Sequence, residues 1–288
     1  MIDETFRCSA ASRDDHEPLA GSAPTESAYL LVEHPGPWGR QALAESDLPE
    51  EVRAHLASES RVRVLLIRRH GRTPPTPSRR VYAAWLGAPG PRLWSTAIGT
   101  PAELLDVDLA ALAEGRGPDW DLVDGNLWLV CTNGRRDRCC AELGRPIAAE
   151  LSARWPRETW ETTHLGGHRF AGTLLALPTG ITLGRLSAES AVEGVAEIES
   201  GGHPVANSRG RAGFPAAVQV AEIEARRDSS EAHWVAPMAE QPDGSVTVTF
   251  RTDAGDRQLR LVAEVGLPRR QSCADLKEKP ATYWRVRD

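Results

Sequence analysis

Short apolar runs closed by glycine and proline clusters mark strands along this chain, and one-sided apolar spacings mark helices. Residues 29–32 are a short apolar strand closed by Pro35-Gly36-Pro37. A helix-like stretch over 49–58 and a buried strand over 62–67 follow. Strands over 81–86 and 93–98 flank Gly-Ala-Pro-Gly-Pro. Thr100-Pro101-Ala102-Glu103 has the form of a capping box with proline at the first helical position, predicting a helix to about residue 113. A second block repeats much of this order. An apolar strand over 127–130 runs into Cys131, and a helix opens at Pro146 and stops at Pro156. A strand over 160–163, a hairpin over 173–186 and an amphipathic helix over 187–199 complete it. The shared order allows an internal duplication in which the first copy is degenerate. The tail predicts a helix over 215–227 and a hairpin. Val246, Val248 and Phe250 alternate on one arm and Leu259 and Leu261 on the other, with Asp253-Ala254-Gly255-Asp256 at the turn. This tail is expected to cover an edge or face of the main sheet. Residues 9–27, rich in Ser, Ala, Asp, Gly and Pro, read as a loosely draped leader.

Composition narrows the class. With 288 residues the chain is long enough for one large domain or two small ones. Charged residues make up 26 % and the hydrophobic set 41 %, ordinary for a soluble globular protein. A net charge of −6 argues against nonspecific nucleic-acid binding. No apolar run approaches the roughly 20 residues of a membrane helix, and no secretory signal is visible at the N-terminus. The expectation is a cytoplasmic protein with no nucleic-acid or membrane partner.

Five cysteines, three of them in one short stretch, suit metal or redox chemistry better than a disulfide framework. Cys131 ends a strand, a rigid place for a ligand. Eight residues lie between it and Cys140, too many for a zinc knuckle and enough to loop around a larger cofactor. His164 and His168 bracket Gly166 and a second glycine, Gly167. In a loop the two glycines let the chain turn tightly so that both imidazoles point at one centre. A set of Cys131, His164, His168 and one of the adjacent Cys139 and Cys140 leaves the other cysteine spare. Cys8 and Cys273 are far away in sequence and read as buried structural thiols. The charges between the cysteines read mostly as a solvated loop.

Three segments carry a resemblance: Cys-Thr-Asn-Gly-Arg-Arg-Asp-Arg-Cys-Cys, His-Leu-Gly-Gly-His-Arg-Phe-Ala-Gly-Thr-Leu-Leu and Leu-Pro-Thr-Gly-Ile-Thr-Leu-Gly-Arg-Leu. Together they are similar to the sucrase/ferredoxin-like family, whose second half resembles thioredoxin-like [2Fe–2S] ferredoxins. Phe-Arg-Cys-Ser at Phe6, Leu-Val-Glu-His-Pro-Gly-Pro-Trp at Leu31 and Val218-Gln219-Val220-Ala221-Glu222 extend it over most of the chain. The resemblance implies a [2Fe–2S] cluster held by Cys131, Cys140, His164 and His168, with Cys139 outside the set. It implies an α/β fold. A flexible leader (1–27) and an N-terminal α/β domain (28–121) would precede a thioredoxin-like ferredoxin domain (122–200). A C-terminal helix and hairpin (201–288) would follow. The implied role is electron transfer with a separate redox partner protein, a reductase or acceptor, rather than stand-alone catalysis. No carboxylate pair supports sugar hydrolysis.

Two thiolates and two neutral imidazoles would leave an oxidised diiron–disulfide core neutral. The expected potential is therefore nearer the Rieske range of about −150 to +300 mV than the roughly −400 mV of plant-type ferredoxins. Reduction should raise the pKa of a free imidazole nitrogen, coupling electron to proton uptake. The competing readings are a structural or regulatory Cys2His2 zinc protein and a cluster-free thioredoxin-like thiol–disulfide oxidoreductase. For the latter the usual Cys-x-x-Cys is missing.

Overall fold

The computed structural model describes residues 5–71, 77–88, 90–235 and 237–287. Residues 1–4 of the expected leader and Pro89 of the expected turn lie outside the described residues. The fold is mixed α/β, built on one ten-stranded sheet. In chain order the elements are α1 (Cys8–Asp14), β1 (Ala28–Glu33), α2 (Glu50–Leu56), β2 (Val62–Arg68), β3 (Arg79–Trp85) and β4 (Arg92–Ile98). Then come α3 (Leu109–Ala113), β5 (Asp121–Leu122), β6 (Leu127–Cys131), α4 (Arg138–Arg154), β7 (Thr159–Thr162) and β8 (Leu174–Leu177). β9 (Ile181–Leu183), α5 (Ala188–Glu199), β10 (Ser208–Arg211) and α6 (Ala216–Ala225) follow. The sheet order is β10-β9-β8-β6-β7-β2-β1-β3-β4-β5.

This order contains the same pattern twice. β1 pairs parallel with β2 and antiparallel with β3, and β3 pairs antiparallel with β4. β6 pairs parallel with β7 and antiparallel with β8, and β8 pairs antiparallel with β9. A parallel pair needs a crossover, supplied by α2 in one block and α4 in the other. The blocks meet where β2 and β7 run antiparallel, with Ile67 opposite Thr162.

Period-two alternation sorts side chains between cores. Ala28, Leu30 and Val32 of β1 join Val52, Leu56, Leu109 and Leu112 on the outer side of the first block. Trp128 and Val130 of β6 join Ile147, Leu151 and Val195 on the outer side of the second. The opposite faces share one cluster, in which Tyr29, Leu31 and Ile67 meet Leu129, Cys131, Trp160 and Leu175. Cys131 therefore points into a core that both blocks build.

The leader, expected to be loosely draped, carries the helix α1 with Cys8, Ser9 and Ser12 buried, and two further helices differ from expectation. The helix expected from Pro146 begins at Arg138 and carries Pro146 inside it. Asp137 caps it, accepting from the Cys139 N–H at 3.0 Å. The buried residues of its first half are Cys139, Cys140 and Gly144, which supply no aliphatic stripe to read. The helix expected over 100–113 is a 3-10 turn, Pro101–Asp106, with the capping box formed, followed by α3. Val107 is extended, and Asp108 restarts the helix by accepting from the Ala111 N–H at 2.8 Å.

The tail adds β11 (Ala232–Trp234), β12 (Ala239–Glu240), β13 (Val246–Thr252), β14 (Gly255–Val265), β15 (Arg269–Arg270), β16 (Glu278–Lys279) and β17 (Thr282–Val286). The expected hairpin is β13–β14, inside an antiparallel sheet of its own. Val248, Phe250 and Leu261 pack with Val218 and Ala221 of α6, which also contacts β10. The tail thus reaches the main sheet through α6. Among the described residues no helix is long and apolar enough to cross a membrane.

Candidate metal centre

Gly144 sets the distance between α4 and the end of β6. A Cβ built there would lie 2.1 Å from the Cys131 carbonyl oxygen, so only glycine lets the helix backbone come this close. That approach brings Cys140, one turn earlier, to Cys131. The ligand atoms of Cys131, Cys140 and His164 lie within 4.8 Å of one another, and both cysteines are buried. His168 joins through His164, its Nδ1 3.2 Å from His164 Nε2. The structure therefore brings together all four residues singled out in the sequence, three in one tight group and His168 against the third.

The loop that carries the histidines is shaped by its glycines and by two arginines. Gly166 and Gly167 have φ of +85° and +66°. A Cβ on Gly167 would sit 2.3 Å from Arg209 Nη2. Arg209 donates to the Gly166 carbonyl at 3.0 Å and to Ser22 Oγ at 3.1 Å. Arg63 donates to the His164 carbonyl at 2.8 Å. Thr163 Oγ1 accepts from the Leu66 N–H at 3.1 Å, tying the loop's base to β2. Pinned carbonyls leave the His164 imidazole beside Cys131 and Cys140, with the His168 ring against it.

Hydrogen bonds fix the imidazole protons. His168 Nε2 donates to the Gln271 carbonyl at 2.5 Å, so its Nδ1 carries the lone pair. That lone pair accepts from His164 Nε2–H, leaving His164 Nδ1 bare. This last atom is buried and has no hydrogen-bond partner among the described residues. A buried nitrogen lone pair without a donor is costly unless something electrophilic meets it. Two thiols and two imidazoles with one orphaned nitrogen form a donor set that suits zinc or an iron–sulfur centre.

Charge on the site is balanced from below. The hydrogen bond from Cys140 holds the Cys131 thiol well below its usual range, and the same contact pushes Cys140 well above. Burial lowers the Arg209 guanidinium to about 10, against the pull of the nearby Cys131 and Cys140. Burial also lowers His168, assisted by the neighbouring His164. A cavity of about 260 Å³, lined by Gly167, His168, Phe170, Gln271 and Tyr283 among others, opens beside the histidine loop.

The leader and the tail close over this loop. Glu17, 3 % exposed, accepts from Arg169 Nε at 2.7 Å and from the Tyr283 hydroxyl at 2.9 Å. Cys8, in α1, and Cys273 are buried as expected, but not apart. They meet Cys139 and Asp137 in a second buried group whose ligand atoms again lie within 4.8 Å of one another. Asp137, expected in a solvated loop, is 4 % exposed. Sequence reasoning gave no role to Asp137, Arg209 or Gln271. The adjacency of Cys139 and Cys140 was the available signal for a second group, because neighbours on a helix cannot face one centre.

The family model described as sucrase/ferredoxin-like matches residues 19–210. That span contains Cys131, Cys140, His164 and His168. No curated protein and no solved structure matches the chain.

Proposed function

Given that the chain belongs to the sucrase/ferredoxin-like family, we propose that it is an electron-transfer protein whose [2Fe–2S] cluster is held by Cys131, Cys140, His164 and His168. The observation that carries this reading is the convergence of two buried thiols and an unpaired imidazole nitrogen at one point. When bound, such a cluster supplies one-electron uptake and release. The chain's own residues do the rest. Cys131 and Cys140 give up their protons as ligands, favoured by the buried Arg209 cation. Arg209 and Arg63 hold the loop carbonyls so that His164 and His168 keep their facing. The Gln271 carbonyl holds the Nε2 proton of His168 and orients its ring, as the outer partner of a ligating histidine does. Ligation through His168 Nδ1 would replace the hydrogen bond that this atom accepts from His164 Nε2–H. The cavity beside His168 is where a reductase or acceptor would come close. The whole set works in the cytoplasm under this proposal, with no nucleic-acid or membrane partner.

Anaerobically purified protein tests the reading. The expected result is a red-brown protein with two irons and two acid-labile sulfides per chain, and an electron paramagnetic resonance signal on reduction. Cys140→Ser should abolish the colour. The midpoint potential should fall as pH rises, because reduction favours proton uptake at a ligating imidazole. A colourless protein that binds only zinc at these four residues would overturn the electron-transfer role.

A further inference from the structure

Three thiols from opposite ends of the chain meet in the second buried group. Cys139 Sγ is 3.4 Å from Cys273 Sγ and 3.8 Å from Cys8 Sγ, and Cys8 and Cys273 are 3.6 Å apart. Asp137 Oδ1 is 3.5 Å from Cys8 Sγ and 3.2 Å from Cys273 Sγ. We propose that Cys8, Cys139 and Cys273, with Asp137 as fourth ligand, form a second metal site that takes a single zinc ion.

The edge lengths decide the nuclearity. Zinc–sulfur bonds of about 2.3 Å at a tetrahedral angle place sulfurs about 3.8 Å apart. With a zinc–oxygen bond of about 2.0 Å, the sulfur–oxygen edge is about 3.5 Å. The observed edges are close to both. Each iron of a diiron–disulfide core has two positions taken by sulfide, so it accepts only two protein ligands. Three sulfurs whose mutual distances are all 3.4–3.8 Å match the edges of one tetrahedron, so this group fits one ion with all four positions open to protein. None of the five cysteines forms a disulfide, and sulfurs at these separations are far beyond the roughly 2.05 Å of a disulfide bond.

The surroundings suit a closed structural site. Cys8, Cys139, Cys273 and Asp137 are all buried. Cys139 lies in the first turn of α4, where the helix end favours a thiolate. Asp137 Oδ1 accepts from the Cys139 N–H at 3.0 Å and Oδ2 from the Cys273 N–H at 2.8 Å, so the carboxylate is fixed before any ion arrives. The ion would staple α1, the start of α4 and the tail together. Those segments also hold the cluster loop, since Gln271 precedes Cys273 by two residues and contacts His168. Binding free energy at such a site becomes folding free energy.

The test uses the full chain expressed with zinc and iron supplied; zinc at Cys131 to His168 would raise the wild type to two zincs per chain and Cys140→Ser would return it to one, so failure of the cluster reading and failure of this site are distinguishable. Metal analysis of the wild-type protein should give one zinc per chain. X-ray absorption at the zinc edge should give three sulfurs and one oxygen. Cys273→Ser and Cys8→Ser should each lose the zinc, while Cys140→Ser should keep it. Substoichiometric zinc in the wild type, iron in its place, a zinc shell without sulfur, or zinc retained by both Cys8→Ser and Cys273→Ser would overturn the proposal. Where a variant does not fold, the wild-type metal content and absorption spectrum still decide.

Discussion

Cys139 and Cys140 are adjacent, yet one meets Cys8 and Cys273 and the other meets Cys131. Successive residues on a helix point about 100° apart, so a cysteine pair in a first turn must serve two directions. The histidine loop makes a similar demand on one residue. Gly167 combines a positive φ with a backbone that touches the buried guanidinium of Arg209. Gly167→Ala should cost about 2 kcal/mol or more from strained backbone and overlap together. It should also release the loop, so that the variant is purified with less metal per chain at the Cys131 centre. Urea unfolding and metal analysis of the variant check both, and an alanine protein equal to the wild type in both would refute the role given to this glycine. Cys131, His164 and His168 were singled out by their spacing and the paired glycines, whereas the choice of Cys140 over Cys139 came only from the family resemblance, because both cysteines follow Cys131 at nearly the same distance. Cys8 and Cys273 were not, because their meeting depends on both chain ends folding over α4, and no local pattern encodes that.

Elements were legible where side chains alternate or caps are explicit. β1, β2, β6 and the β13–β14 hairpin lie close to where their apolar patterns put them. α4 was half hidden, because Pro146 looked like a start and the buried cysteines and glycine before it gave no stripe. α6 shows how charge enters such packing. Glu222, 1 % exposed, meets Arg211 at 2.6 Å and Arg226 at 3.4 Å, while buried His203 pairs its Nε2 with Ser208 Oγ at 2.7 Å. Burial lowers His203 to about 4, against the attraction of Glu222 and with the help of Arg211 and Arg226. A depressed histidine is neutral when folded and takes a proton when unfolded. Its contribution is therefore present above about pH 6.5 and lost as pH falls toward 4, on the order of 3 kcal/mol over that window. His203→Gln should narrow the difference in unfolding free energy between pH 7 and pH 4. Urea titrations of both proteins at the two pH values measure it, and equal pH differences would remove His203 from the account.

At the scale of the molecule, the two blocks share one core and one sheet. The repeated strand order could be suspected from the sequence, but the antiparallel joint of β2 and β7 could not, because neither strand advertises its outer partner. That joint is dense. Glu161 of β7 accepts from Arg68 Nε at 2.9 Å, from His70 Nδ1 at 2.8 Å and from Thr132 Oγ1 at 2.8 Å. The Arg69 guanidinium stacks 3.5 Å above the Trp160 ring. Cutting the chain to residues 122–200 would open the β7 edge and bare Leu127, Leu129, Trp160, Leu175 and Leu177, which the first block covers. An unpaired strand beside a bare apolar face invites aggregation. The cut would also remove Arg209 and Gln271, the partners that shape the histidine loop. The fragment is therefore expected to aggregate or to unfold without a cooperative transition, and to hold no metal at Cys131, while the full chain unfolds cooperatively. Circular dichroism in urea and metal analysis of the two proteins make the comparison. A soluble fragment with the full chain's midpoint and metal content would show that the second block needs nothing from the first, and that the shared core is a contact rather than a requirement.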